Sequence, residues 1–368
     1  MHAIDGQGKP GTGKRLLAIA PVSAYGGNNT SIHRVHALEA LGFEVKKLDS
    51  AGASLSTFEH LKSRICNQLF QRGIPARLPD PLSINSRLME AVRQNRWDVL
   101  WVDKCMNLSA DSLRAFSSVQ PHTLKIGYSP DDMDARHNQS RQFLETLPLY
   151  DVFLTTKTYN VEELQARGCR DVRFIGNAYD PASFRPLPVS NKEIHDLGGD
   201  IGFIGTFEED RARFLYELAA AGLPVRIWGG GWEKMRNTHP NLRLEKKPLY
   251  GDLFAKACGA FKINLNFLRK INRDRQTTRS VEIPACRGFM LAERTEEHQE
   301  LFQEGVEADY FSSLDELKAK CQQYLEDDDA RNRVAAAGYR RCLDSDYSNE
   351  GRLRAALLDL EKIRFNHA

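Results

Sequence analysis

Unbroken apolar runs that alternate with helical patterns are the feature that most limits how this chain can fold. A strand with one face in water alternates apolar and polar residues, whereas a strand covered on both faces is apolar throughout. Here the runs are continuous, and stretches with apolar residues at three-to-four spacing separate them. We therefore predict an α/β fold in which helices cover both faces of parallel sheets.

This pattern occurs twice along the chain. A first series ends near residue 176, and a Pro-rich segment that cannot continue a helix follows it. The predicted strands are residues 16–20, 43–48, 98–102, 123–128, 152–155 and 172–175, then 201–204, 225–228, 262–267 and 289–292. We predict two Rossmann-like domains that face each other across a cleft, with ligands bound beyond the carboxyl ends of the strands.

The same pattern predicts where the domains begin and end. The predicted segments are a flexible tail at 1–13, a first domain at 14–176, a linker at 177–188, a second domain at 189–345 and a terminal helix at 346–368. In the last segment, Leu353, Leu357 and Leu360 share one face of a helix. We expect this face to pack back onto the first domain.

Charge and composition exclude several classes of protein. The 368 residues include 51 Lys and Arg against 49 Asp and Glu, so we expect no nucleic-acid partner. The longest apolar stretch, at 16–22, is far shorter than the ~20 residues that cross a bilayer, which leaves peripheral membrane contact open. The N-terminus lacks a signal-peptide core, and the seven cysteines are too scattered for a disulfide framework or a zinc site. We expect a cytoplasmic protein.

Two motifs resemble ligand sites but have plainer explanations. Residues 8–14 have the glycine spacing of a P-loop, yet Arg15 stands where Ser or Thr would hold Mg²⁺, and the predicted strand follows the segment. Asp132 and Asp134 have a spacing that suits a divalent cation, but Asp also caps turns and helices. We favour a capping role, or a place in the wall of the cleft, for this pair.

Loops after two strands of the second half carry groups suited to a phosphate. Gly205 and Thr206 end one strand just before a helix that contains Arg211, and Gly229 and Gly230 end the next strand. Glycine lets a backbone approach phosphate or sugar closely. The first helix of a doubly wound domain is a common phosphate site. We therefore predict that these loops bind a nucleotide.

A basic run at 269–279 follows the next strand, and Glu282 lies just beyond it in an otherwise apolar segment. The run has two explanations. It is either an ordinary solvated loop or a set of arginine side chains whose guanidinium groups bind a diphosphate. Burying Glu282 without a partner is costly. Adjacent ribose hydroxyls are suitable donors to such a carboxylate, which favours the functional explanation.

These stretches resemble the group 1 glycosyltransferases, in particular the branch typified by the CgeB spore-maturation proteins. The resemblance extends over residues 120–345, and more loosely over the first hundred. The matching stretches are YSPDD at 128–132, YDVF at 150–153, GNAYDP at 176–181, FIG at 203–205, RSVEIPACRGFML at 279–291, LFQEG at 301–305 and AAAGYRR at 335–341.

The resemblance implies a GT-B glycosyltransferase fold, with a nucleotide-diphosphate sugar bound by the second domain and a glycan, lipid or protein acceptor bound by the first. The paired acids of the family correspond to Asp274, for sugar hydroxyls, and Glu282, for ribose; Asp274 replaces the usual Glu, and Arg287 a usual Gly. The implied donor-binding residues are Gly205, Thr206, Arg211, Gly229, Gly230, Tyr250, Asp274, Thr277, Thr278, Arg279 and Glu282. No metal or other cofactor is implied.

The implied reaction is sugar transfer with retention, in glycan or cell-surface polysaccharide synthesis. We predict that His137 and Asp132 contact the sugar or the acceptor as catalytic groups. The loop of Tyr25, Gly26, Gly27 and Asn28 is expected to line the cleft. Two alternatives stay open: a sugar-nucleotide epimerase or hydrolase on the same fold, and a non-catalytic nucleotide-sugar binder, which the changes at 274 and 287 favour.

Overall fold

Two six-stranded sheets organise the chain in this computed structural model, which describes residues 9–24, 29–51, 56–74 and 76–366, with side chains up to residue 360. One compact unit extends to Gly176 and resumes at Asn349, and the other is Asn177–Ser348. The strands are β1 (Arg15–Ala20), β2 (Glu44–Asp49), β3 (Val99–Asp103), β4 (Leu124–Ser129), β5 (Val152–Thr155), β6 (Val172–Phe174), β7 (Gly199–Ile204), β8 (Val225–Trp228), β9 (Leu242–Leu244), β10 (Phe261–Asn266), β11 (Met290–Glu293) and β12 (Asp309–Phe311).

Helices separate most of the strands. They are α1 (Thr30–Ala40), α2 (Thr57–Gln71), α3 (Ile84–Gln94), α4 (Ala110–Val119), α5 (Arg141–Thr146), α6 (Asn160–Ala166), α7 (Asn191–Leu197), α8 (Glu209–Ala220), α9 (Gly251–Ala260), α10 (Arg279–Ala285), α11 (Glu296–Leu301), α12 (Leu314–Glu326), α13 (Asp328–Asp344) and α14 (Asn349–Asn366). Within the described ranges, none of them has both the length and the apolar character to span a membrane.

The strand order is β2-β1-β3-β4-β5-β6 in the first sheet and β12-β11-β10-β7-β8-β9 in the second. Neighbouring strands are parallel throughout the described residues. This confirms the predicted fold class. The sequence analysis missed the edge strands β9 and β12, because three residues are too few to form a recognisable apolar run.

Both faces of the first sheet are covered, which explains its continuous apolar strands. Along β1, Leu17 and Ile19 pack into one core cluster, whereas Leu16 and Ala18 pack into another. Successive side chains of a strand point to opposite faces, so the two clusters lie on opposite sides of the sheet. The second cluster also contains Leu353, Leu357 and Leu360 of α14, and that helix contacts α1.

The structure differs from the predicted linker at 177–188. Tyr179 and Phe184 are buried in a core of the second unit, and the Tyr179 N–H donates a hydrogen bond of 3.1 Å to the Tyr347 carbonyl. The prolines in this segment do prevent a helix, but the aromatic side chains between them are large enough to anchor it. The segment is therefore part of the second unit.

The predicted flexible tail is wrong for residues 9–13, whereas residues 1–8 lie outside the described residues. Pro10 and Gly11 are buried, and the Gly11 N–H donates a hydrogen bond of 3.0 Å to the Leu41 carbonyl. A Cβ at Gly11 would come within 2.5 Å of the Phe43 nitrogen, so the backbone can pack there only with glycine.

Candidate functional site

The predicted donor loops follow strands that are neighbours in the second sheet. Residues 205–208 follow β7, 229–231 follow β8 and 267–278 follow β10, and the sheet order places β10, β7 and β8 side by side. Because these strands are parallel, the three loops lie at the same edge of the sheet. The structure thus brings together loops that the sequence analysis could only list separately.

Gly205 and Gly229 lock two of these loops against each other. The Gly205 N–H donates to the Trp228 carbonyl at 2.9 Å, and Trp232 Nε1 donates to the Gly205 carbonyl at 2.8 Å. Gly229 has φ 150°, and a Cβ there would lie 1.9 Å from the Gly205 oxygen, so no larger residue fits. A Cβ at Gly230 would meet no atom within 4 Å, so packing does not require that glycine.

Arg211 is a buried cation whose hydrogen bonds go to neutral backbone carbonyls. Its Nη1 donates to the carbonyl of the exposed Thr206 at 3.2 Å. Its Nη2 donates to the Phe267 carbonyl at 3.5 Å and lies 3.6 Å from the Glu208 carboxylate. Its Nε is buried without a hydrogen-bond partner. Burial lowers the pKa of Arg211, and Glu208 only partly offsets this effect. Because a guanidinium stays charged in proteins, an additional anion at this position would stabilise it.

Acidic residues already engage part of the predicted basic run. Arg269 Nε lies 2.9 Å from the Glu208 carboxylate, and Lys270 Nζ lies 2.9 Å from the Asp210 carboxylate. Asp274 donates its N–H to the Arg269 carbonyl at 3.1 Å, and its charge acts to raise the pKa of Arg211. A diphosphate at this edge would therefore compete with carboxylates for the basic side chains.

Glu282 is buried, as the apolar segment around it predicted. Its carboxylate accepts a hydrogen bond from Arg279 Nη1, and the Arg279 guanidinium lies 4.1 Å from the centre of the Phe254 ring. Burial raises the pKa of Glu282, Arg279 and Thr278 act against that shift, and nearby Asp180 adds to it. The Glu282 carboxylate is thus more costly to ionise than a solvated one, in spite of its arginine partner.

A buried hydrogen-bond relay fixes the backbone just before Glu282. Ser280 Oγ accepts hydrogen bonds from the Thr277 N–H at 3.0 Å and from Asn266 Nδ2 at 3.1 Å. It also lies 2.7 Å from His298 Nε2, and His298 Nδ1 lies 2.6 Å from the Glu293 carbonyl. A hydroxyl oxygen accepts two hydrogen bonds, so Ser280 must donate its own proton to Nε2. His298 is therefore neutral, with its proton on Nδ1.

The surroundings of His298 also favour its neutral form. Its ring stacks on Tyr310 with 5.7 Å between the ring centres, and burial lowers the pKa of His298 to about 4.

Thr277, whose N–H donates to Ser280 in this relay, has a buried hydroxyl without a hydrogen-bond partner. An unsatisfied buried hydroxyl costs free energy that a ligand oxygen would recover.

A second series of buried hydrogen bonds supports the same loop, and the sequence analysis did not predict it. Asn177 donates from its backbone and from its side chain to Gln276 Oε1, both at 3.2 Å, and Gln276 Nε2 donates to Glu297 at 2.9 Å. A signal was present, because Asn177 and Asp180 lie in the GNAYDP stretch that carries part of the family resemblance.

Two other positions of the second unit complete the predicted set. Tyr250 directly precedes α9 and is exposed, so its ring is accessible to a ligand. Arg287, at the position of a usual glycine, has φ 61°, a left-handed conformation that glycine adopts at less cost. The backbone of this turn thus keeps the shape that a glycine would favour.

The first unit corrects one of the two predicted catalytic residues. Asp132 is completely buried, and its Oδ1 accepts from the Asp134 N–H at 3.1 Å, the Ala135 N–H at 3.2 Å and Asn160 Nδ2 at 3.0 Å. It stabilises a turn, which is the capping role, and this burial argues against a contact with substrate. His137 is exposed, with Nε2 3.1 Å from Asn138 Nδ2, and its catalytic role stays a prediction.

The first unit contains the loop that we expect to line the cleft. Tyr25, Gly26, Gly27 and Asn28 lie outside the described residues. Residues 78–82 border a pocket of about 350 Å³ in the first unit. Its lining includes Pro21, Ser63, Asn67, Leu78, Leu82 and Lys104.

Comparisons with known proteins place the chain beside glycosyltransferases. Residues 211–358 match the model of a family described as glycosyl transferase-like, and this segment includes Arg211, the loop after β10 and Glu282. No curated protein sequence matches the chain.

Several solved structures have the same fold at low sequence identity. HepE of Anabaena, solved with UDP and glucose, is 13% identical and has a TM-score of 0.61; the match covers 95% of this chain and 100% of that one. Sucrose-phosphate synthase of Thermosynechococcus elongatus is 11% identical and has a TM-score of 0.62, and the match covers 96% of this chain and 100% of that one. A putative UDP-N-acetylglucosamine 2-epimerase of Listeria monocytogenes is 14% identical and has a TM-score of 0.54, and the match covers 96% of this chain and 97% of that one. The two parallel-sheet units of this chain therefore match the GT-B glycosyltransferase fold.

Proposed function

We propose that this protein is a glycosyltransferase that moves a sugar from a nucleotide-diphosphate donor to an acceptor hydroxyl. The observation that carries the proposal is Arg211, a buried cation whose Nε has no partner, at the sheet edge where this fold binds ligands. The match of residues 211–358 to a glycosyl transferase-like family supports it. The neighbour HepE was solved with UDP and glucose, which is the ligand chemistry that such a site fits.

In this proposal different residues of the second unit bind different parts of the donor. Arg211 and the hydroxyl of Thr277 bind the diphosphate, because both have unused hydrogen-bonding capacity. Glu282 accepts from the ribose hydroxyls, and Asp274 contacts the sugar. Positive charge that is already in place stabilises the departing diphosphate without reorganisation in the transition state. The binding sites hold donor and acceptor in the geometry of attack.

Finer features of the reaction follow from the resemblance and are part of the proposal. We infer retention at the anomeric carbon, neutralisation of the diphosphate by basic side chains without a metal, and membership of the CgeB-like branch. The acceptor, a glycan, lipid or protein, would bind the first unit near the pocket beside residues 78–82. The seven free cysteines suit a reducing compartment, which supports a cytoplasmic location.

A nucleotide panel tests the proposal. A ligand at ~100 times its Kd adds about 2.7 kcal/mol to the free energy of unfolding, so a nucleoside diphosphate should raise the melting temperature clearly. Arg211→Met should abolish most of this shift, whereas Arg213→Met, at an exposed position of the same helix, should leave it unchanged. No response to any nucleoside diphosphate would contradict the donor site.

An epimerase or hydrolase that acts on a sugar nucleotide is the second candidate. The fold match to the putative 2-epimerase of Listeria monocytogenes is the observation that favours it. Turnover distinguishes the two: a transferase consumes donor in proportion to added acceptor, whereas an epimerase or hydrolase converts it without one. NMR of the anomeric proton in the product then tests retention.

A further inference from the structure

Helix α2 of the first unit carries an apolar stripe that is exposed to solvent. Phe58, Leu61 and Ile65 are 74%, 55% and 47% exposed, and their spacing of three and four residues places them on one face. Phe70 is the residue of α2 that the structure buries. A helix of this length is marginal in water unless packing supports it, so α2 is suited to a partner that covers the stripe.

Basic residues border the stripe. Helical geometry places Lys62 at one edge and Arg64 at the other, and both side chains are exposed. Arg72, also exposed, follows the last turn. The acidic residue Glu59 accepts hydrogen bonds from the backbone and hydroxyl of Ser56 in a capping box. This local excess of positive charge contrasts with the chain as a whole, which has 51 basic and 49 acidic residues.

We propose that α2 lies in the plane of an anionic membrane surface. Phe58, Leu61 and Ile65 enter the boundary between headgroups and acyl chains, and Lys62 and Arg64 contact lipid phosphates. A second copy of the chain fits less well, because a two-fold contact brings the same patch onto itself and sets like charges against each other. This inference goes beyond the proposed function and does not depend on it.

Flotation with vesicles tests the proposal on the full chain. We expect the protein to float with vesicles of phosphatidylcholine and phosphatidylglycerol, to bind phosphatidylcholine alone weakly, and to be released by salt. Lys62→Gln with Arg64→Gln should weaken binding roughly 30-fold, since each basic residue contributes about 1 kcal/mol at such a surface and 1.4 kcal/mol is tenfold. Phe58→Ser with Leu61→Ser and Ile65→Ser should abolish binding.

A matched control separates this surface from general stickiness. Leu253→Ser with Leu343→Ser changes two exposed leucines of the second unit and should leave vesicle binding unchanged. Circular dichroism and the melting temperature report whether each variant is folded. The nucleotide-induced shift in melting temperature should be the same in the α2 variants as in the natural chain, so failure here is distinguishable from failure of the donor site.

Three results would overturn the proposal. The protein does not float with anionic vesicles, or the α2 variants float as well as the natural chain. The third is a concentration-dependent dimer that the three serine substitutions dissociate while vesicles bind nothing. That last result would assign the stripe to self-association.

Discussion

The two units each bury an arginine in the first helix after their first strand, and the two arginines differ in what surrounds them. Arg34 of α1 is 3% exposed and donates two hydrogen bonds to Asp103, Nε to Oδ2 at 2.8 Å and Nη2 to Oδ1 at 3.0 Å. Arg211 of α8 is 5% exposed, and its Nη2 lies 3.6 Å from the Glu208 carboxylate. Burial acts to lower the pKa of both. At Arg34, Asp103 together with Tyr128 and Asp131 more than offsets this effect, whereas the pKa of Arg211 stays lowered.

This difference separates a well-paired buried charge from a poorly paired one. Arg34 also lies 4.2 Å from the centre of the Tyr128 ring, so its environment within the fold already stabilises the cation. An incoming anion would have to displace Asp103, which is itself buried. Arg211 lies farther from its aromatic ring, 5.7 Å from the centre of Phe203, and 3.6 Å from the Glu208 carboxylate. An anion from solution would therefore add to the stabilisation that the fold supplies. A buried charge thus indicates a ligand site when its own structure leaves it poorly compensated.

The largest expected effect comes from breaking the paired arginine. Arg34→Met leaves Asp103 as an uncompensated buried charge and should lower the free energy of unfolding by about 3–5 kcal/mol. Chemical denaturation measures the loss. The change should leave the nucleotide affinity of the folded protein unchanged, since Arg34 lies in the other unit.

The double variant Arg34→Met with Asp103→Leu is the control for this prediction. Replacing both members of a buried ion pair by apolar residues is often close to neutral, so much of the lost stability should return. A double variant as unstable as Arg34→Met alone would show that the packing of the arginine stem, and not its charge, is what matters.

The next effect concerns His298, which the fold keeps neutral. The unfolded chain takes up a proton at this residue below about pH 6.5. In the folded protein burial lowers the pKa of His298 to about 4. Its contribution is therefore complete above pH 6.5 and is lost as the pH falls toward 4, about 3 kcal/mol in all. His298→Gln should flatten the pH dependence of the free energy of unfolding over this window.

His36→Gln, a change at an exposed histidine of α1, is the matched control and should keep the natural pH dependence. In the natural protein, protonation of His298 would also require Ser280 to give up one of the two hydrogen bonds that it accepts. Nucleotide affinity should then fall below about pH 5 in the natural chain. A pH profile of His298→Gln identical to that of the natural chain would refute the assigned relay.

The sequence alone predicts the architecture of both units, because continuous apolar runs carry the parallel strands. It also locates the loops with Gly205, Arg211 and Glu282, since each follows a strand or lies in an apolar helix. At Asp132 the sequence favours a cap but keeps a substrate contact as an alternative, because the same residue type suits both. Only the fold distinguishes the two.

Hydrogen bonds between residues that are far apart in the sequence are the other feature that the sequence alone does not predict. Ser280 and His298 lie 2.7 Å apart, yet 18 positions separate them along the chain. Gln276 contacts Asn177 across 99 positions. No periodicity or local motif reports such pairs, so the support beneath the donor loop becomes visible only when the strands are in register.

Glu282→Gln applies the same test, whether a buried charge is structural or binds a ligand, to a carboxylate. Burial raises the pKa of Glu282, so the neutral amide should leave the melting temperature of the free protein unchanged or slightly higher. Hydrogen bonds to charged groups contribute ~1.5–3 kcal/mol, so nucleotide affinity should fall by roughly 10- to 150-fold. Calorimetry measures the affinity. Unchanged affinity with a large loss of stability would make Glu282 a structural partner of Arg279, as Asp103 is of Arg34.

The smallest expected effect has the opposite sign and comes from Glu208. Its carboxylate lies 2.9 Å from Arg269 Nε and 3.6 Å from Arg211 Nη2, where it competes with any incoming diphosphate. Glu208→Gln removes that competing charge and should tighten nucleoside-diphosphate binding several-fold, by about 1 kcal/mol or less, as expected for a partly exposed pair. The gain should shrink as salt is added. Glu209→Gln, at an exposed position one residue further, should have less effect. Weaker binding in Glu208→Gln would mean that Glu208 itself accepts a hydrogen bond from the ligand, and the diphosphate would then have to be assigned away from Arg211.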